Sequence, residues 1–213
     1  MCLARKNAGI PRSLSQVSTA ASLGADEARR GRATALEDVR KYAHTSADLA
    51  ILARFLELQQ LDGHTALAID PPKGLLRHVL RAMKLLHLCD FQHEDVCCIL
   101  AHTSVYFRST YKACGHQMDS QEVANAVVAQ MFIAHSYIQD ETCPLRIWHE
   151  HIFQKYCSVK TLNEVILRLM EIRAYRLRVD RKEMMKRYTF LCGSTSHALL
   201  RNGGLPTQHD LCE

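Results

Sequence analysis

Twelve histidines and nine cysteines are the side chains of this 213-residue chain best suited to chemistry. The tightest histidine grouping, His149-Glu150-His151, has the donor types of a metal site. Residues two apart on a helix point about 200° apart, however, so this pair does not chelate one ion as histidines four apart do. His87, His93 and His102 differ in helical phase and are not expected to converge. The expectation is therefore no metal and no cofactor, with the histidines partly exposed or hydrogen-bonded. The adjacent Cys97-Cys98 face different ways on a helix and have no basic neighbour to lower their pKa, which reads as two small buried hydrophobes rather than a redox pair. The sole Gly-Gly, Gly203-Gly204, lies too far along the chain to open a phosphate-binding loop, and there is no Gly-x-Ser-x-Gly elbow to present a nucleophile. No catalytic residue is expected, and the chain reads as a binding protein rather than an enzyme.

Composition narrows the class. At 47% hydrophobic and 23% charged residues, the chain suits one well-buried domain with extensions at its ends. The formal charge of +5 is spread along the sequence rather than gathered in a block, which gives no support to nucleic-acid binding. An odd cysteine count without Cys-x-x-Cys fits neither a secreted disulfide framework nor a zinc ribbon and suggests a reducing compartment, cytoplasm or nucleus. No apolar run approaches the roughly 18 to 20 residues that span a bilayer. From Met1 to Ala25 there is no acidic residue, while Arg5, Lys6 and Arg12 stand among Ser, Thr and Ala; flexible tails and organelle transit peptides share that composition.

Apolar spacing predicts helices throughout and no strand, hence an all-α fold. Ala33 to Tyr42 reads as a short charged helix. Thr45 or Ser46 caps a second helix through Leu49, Leu52, Phe55 and Leu56, and Asp62-Gly63 and Asp70-Pro71-Pro72 bracket a break after it. The compact domain follows. Leu75, Leu76, Val79, Leu80, Met83 and Leu86 form the stripe of its first helix, with Arg77, Arg81 and Lys84 off the centre of that stripe. An acidic start at Asp90 to Asp95 leads into the second helix, through Val96, Ile99, Leu100, Thr103, Tyr106 and Phe107, with Gly115 as its stop. Asp119 or Ser120 caps a slim, alanine-rich third helix suited to the centre of a bundle. Pro144 opens a fourth, which carries Trp148 to the core, and Ser158 begins a fifth through Leu162, Val165, Ile166, Leu169 and Met170. The run from Arg173 to Arg187 is rich in basic residues and reads either as a surface for an acidic partner or as a solvated helical face.

In this order and spacing, Leu75 to Leu80, Ile99 to Arg108, Ile133 to Asp140, and Leu162-Asn163 leading to Tyr175-Arg176-Leu177 resemble the five-helix cyclin box. The chain is most similar to the short, single-box phosphate-response cyclins (Pho or P/U type). Division follows from that resemblance: 1–32 an N-terminal tail, 33–72 accessory helices and linker, 73–179 the cyclin box, and 180–213 a basic helix and tail. It implies a regulatory subunit that binds and activates a cyclin-dependent protein kinase, as a heterodimer, in cell-cycle or nutrient control. Its alternative is a cyclin-like scaffold for a non-kinase partner.

The resemblance also points to a face, made by the third and fifth helices, that meets the kinase. Its candidates are His135, Ser136 and Gln139, with Asn163, Ile166 and Met170. Such cyclins resemble one another in an Ala-Lys-Phe and a Leu-Asn-x-Leu-Glu whose Lys and Glu face the kinase. Here Ser136 and Ile166 stand at those places, so the charge-assisted bonds are lost. Ile166 and Met170, four apart, either replace them with an apolar anchor or face the domain core.

Overall fold

The computed structural model describes residues 44–64, 73–114, 118–140 and 142–193. The expected helix at Ala33 to Tyr42, the N-terminal tail, Asp70-Pro71-Pro72, Gly115 and Gly203-Gly204 lie outside them. Among the described residues every regular element is helical: α1 (Ser46–Leu61), α2 (Lys73–Leu88), α3 (His93–Cys114), α4 (Ser120–Ile138), α5 (Leu145–Trp148), α6 (Val159–Ile172) and α7 (Arg181–Cys192). A π-helical turn, His149–Phe153, continues α5. The chain is all-α.

The helix starts follow from local chemistry. Thr45 and Asp48 close a capping box on α1, Asp119 and Glu122 close another on α4, and the Ser158 hydroxyl accepts the Thr161 N–H at the start of α6. Pro144 precedes α5, where its missing N–H costs nothing. Three helices end in the same reversal, an N–H reaching back five residues: His64 to Gln59 after α1, Phe91 to Leu86 after α2, and Tyr175 to Met170 after α6. These turns require positive φ, met by Gly63 at 88°, by Asp90 at 65°, and by Ala174 and Tyr175 at 50° and 58°. Only the first has the residue type for which that conformation is free of strain.

Two helices share the centre. The expected slim helix, α4, packs on α2, α3 and α6, and Ala124, Ala126, Ala129 and Ala134 are buried in those contacts. α3 is equally enclosed: every residue from Val96 to Phe107 is buried, because α1 and α7 cover the side that α4 leaves open. The helix Arg181–Cys192 is thus part of the body. Trp148, Tyr106, Phe55, Phe107 and Phe153 anchor the core, each side chain contributing about 1.5–3 kcal/mol by leaving water. Lys84, expected off the apolar stripe, is buried, and burial lowers its pKa. Cys97 and Cys98 are buried as expected, and the Cys97 thiol is pushed up by a hydrogen bond with Cys192 and by burial.

Candidate partner-binding face and polar clusters

The six residues assigned to a docking face divide between surface and core. Ser136 and Asn163 are exposed, and Gln139 and Met170 are half-buried. Ile166 is buried with Leu162 and Leu169 on the inner stripe of α6, so of the two alternatives for it the core placement is the one observed. His135 is fully buried, a correction to its place on an outward face. Its Nε2 accepts the Cys143 N–H at 2.8 Å, and its ring packs against Phe91 and Trp148. Burial lowers its pKa to about 4, so it is neutral in the fold.

Besides Leu49 and Leu61 on α1, Tyr156 before α6 and Val159 at its start, exposed large apolar side chains lie near this face but outside the six. Tyr137 follows Ser136, Val165 and Leu167 flank the buried Ile166, and Tyr175 stands in the turn after α6. Tyr137 and Tyr175 line an open groove of about 710 Å³ with Arg176, Leu177, Arg178, Val179, Asp180 and Arg181. The groove wall is held from inside. The buried Tyr106 hydroxyl donates to the Leu177 carbonyl at 2.7 Å. The Arg173 guanidinium sits 4.3 Å above the Tyr106 ring and donates to the Arg176 carbonyl at 2.7 Å and to the Ser109 hydroxyl at 3.0 Å. With these carbonyls turned inward, Tyr175, Arg176 and Arg178 are exposed to solvent.

That clamp corrects the uniform reading of the basic run. Arg173 is a half-buried brace, and Arg187 is buried in an ion-pair network. Arg187 grips both carboxylate oxygens of Asp62, at 2.7 and 2.6 Å, and also reaches Ser104 and Glu183; Arg108 bonds Asp62 and Glu183 from the other side. A bidentate guanidinium–carboxylate pair fixes geometry as well as charge, and this one joins the end of α1 to α3 and α7. Arg176, Arg178, Arg181, Lys182 and Lys186 are the exposed remainder.

The expectation that the scattered histidines do not converge fails for two of them. The tight reversal at Asp90 folds the end of α2 onto the start of α3, which places the His87 and His93 rings 4.7 Å apart, centroid to centroid. Helical phase limits residues of one helix, whereas these belong to two. Asp48 of α1 completes the cluster, its Oδ1 2.9 Å from His87 Nε2 and 3.4 Å from His93 Nε2. Among the described residues these three form a group close enough for one metal ion. His102 stands apart, edge-on to Tyr106 and Tyr137 behind the groove, with its pKa lowered by burial. His149 hydrogen-bonds the Cys157 carbonyl through Nε2. Asp48 escaped sequence reasoning altogether, although Thr45-x-x-Asp48 is legible as a capping box.

No family model matches the chain, and neither a curated protein nor a solved structure matches it. No helix of the described residues is long and apolar enough to cross a membrane.

Proposed function

We propose that this protein is a cyclin-like regulatory subunit that binds a cyclin-dependent protein kinase and does no chemistry itself. The observation that carries the reading is the groove at the ends of α4 and α6. Two exposed tyrosines and a row of basic side chains stand there on a wall that Tyr106 and Arg173 hold in a strained conformation. Aromatic and arginine side chains on a rigid backbone are what protein interfaces favour at their centres, since little entropy is lost on docking. Strained backbone kept in place by buried partners is also more often found at functional surfaces than elsewhere. In the span that resembles a cyclin box, this groove adjoins the face assigned to the third and fifth helices: Tyr137 ends the third helix, and the other lining residues follow the fifth. Binding there acts by selecting the kinase conformation in which the active-site Lys–Glu pair is assembled.

A second reading has its own observation. Where the resemblance calls for an outward acid, Ile166 is buried, and Ser136, though exposed, carries no charge. The same groove then serves a non-kinase partner. Affinity purification of the tagged protein from its own cells, beside a Tyr137→Ala/Tyr175→Ala double variant, separates the two. A cyclin-dependent kinase that copurifies, transfers phosphate and is lost with the variant supports the first reading. A stable partner that is no kinase, lost with the variant, supports the second; retention of every partner by the variant contradicts both.

A further inference from the structure

We infer that Asp48, His87 and His93 form a divalent-metal site, with zinc the best-fitting ion, that clasps the N-terminal end of α1 to the α2–α3 turn. The donor set comes first. Two imidazole nitrogens and one carboxylate oxygen suit zinc and its neighbours among the first-row metals rather than magnesium or calcium, which take oxygen. Spacing agrees: Asp48 Oδ1 lies 2.9 and 3.4 Å from the two Nε2 atoms, and all three donors fall within 4.8 Å of one another. Ligands about 2.0–2.1 Å from a tetrahedral zinc stand about 3.3 Å apart, so small side-chain adjustments admit the ion.

The surroundings are those of a ligand shell. His87 Nδ1 donates to the Phe91 carbonyl at 2.9 Å, which fixes the ring and aims Nε2 at the carboxylate. A backbone carbonyl behind a histidine ligand is the usual way to set its tautomer and raise its basicity. Asp48 is fixed likewise, its Oδ2 accepting the Thr45 N–H at 2.8 Å and the Thr45 hydroxyl at 3.0 Å, which leaves Oδ1 facing the imidazoles. His87 Nε2 lies 2.9 Å from that oxygen, on the side of the ring away from the Phe91 carbonyl. His93 Nε2 converges on the same oxygen and also lies 3.4 Å from the Thr45 hydroxyl, and an ion placed between the three residues would take both Nε2 atoms and Oδ1 as ligands. His93 is 39% exposed, which gives an entry path and a fourth position for water.

The test uses the full chain, purified and stripped with a chelator, and cobalt(II) as a visible probe followed by zinc(II). One equivalent of cobalt should give visible d–d absorption without the near-ultraviolet band of a thiolate ligand, which separates this site from any formed by the nine cysteines. Zinc should displace cobalt and raise the melting temperature. His93→Gln, at a half-exposed helix start, should weaken binding at least tenfold and abolish the thermal shift; Asp48→Asn, which keeps the shape of the cap, should do the same. A wild-type chain that takes up no cobalt or zinc at about 100 µM, a thiolate band, or binding unchanged in His93→Gln would each overturn the inference.

Discussion

The two ends of α1 are both moored by an aspartate whose side chain is buried, yet to partners of opposite capability. At the C-terminal end, Asp62 is gripped by Arg187, a planar cation with no lone pair and no accessible neutral form. At the N-terminal end, Asp48 faces two imidazoles, groups whose ring nitrogens can ligate a metal ion. One end is a fixed joint, indifferent to metals. The other is chemically addressable, although both do the same mechanical work of seating α1 on the body.

The largest effect should come from the fixed joint. Arg187→Ala strands a buried Asp62 and should cost about 3–5 kcal/mol in denaturant unfolding, with the same loss in the presence and absence of zinc. A zinc-dependent loss would erase the distinction between the ends. Next is acid sensitivity on the imidazole side. His135 packs on Phe91, whose carbonyl holds His87, and its folded pKa of about 4 lies below the ordinary value of 6.5. Between those values the unfolded chain binds the extra proton, so stability falls as pH drops from about 6.5 to 4, by about 3 kcal/mol in all. His135→Gln should flatten that part of a stability–pH profile, whatever it costs at neutral pH.

Smaller effects sharpen the comparison. Thr45→Ala removes the cap that also aims Asp48 and should cost about 1 kcal/mol at the N-terminal end. A melt should show it, together with a weaker response to zinc. At the groove, Tyr175→Gly replaces a bulky residue at φ 58° with one that suits it, and should raise stability by up to about 1 kcal/mol while weakening partner capture. A variant less stable than the parent would mean that the turn is held by the tyrosine side chain rather than against it.

Sequence pattern reached the elements more surely than the sites. Capping signals at Thr45, Asp119 and Ser158, the break at Asp62-Gly63 and the core placement of Trp148 are local properties, set by hydrogen bonds within a few residues or by one helical stripe. The enclosure of α3 on all sides was not legible, since it depends on α1 and α7 returning to cover it. His135, Ile166 and Arg187 show the same boundary in single residues: periodicity alone left their phase open, and tertiary packing buried all three. The Asp48–His87–His93 cluster joins three helices, so no spacing within one of them announces it.

Hydrogen exchange on the partner complex, compared with the free chain, tests the central claim most directly. Docking through the groove predicts slowed exchange at 136–139 and 174–181, with the two moorings of α1 unchanged. Protection confined to 44–48 and 87–93, or absent from the groove, would contradict it.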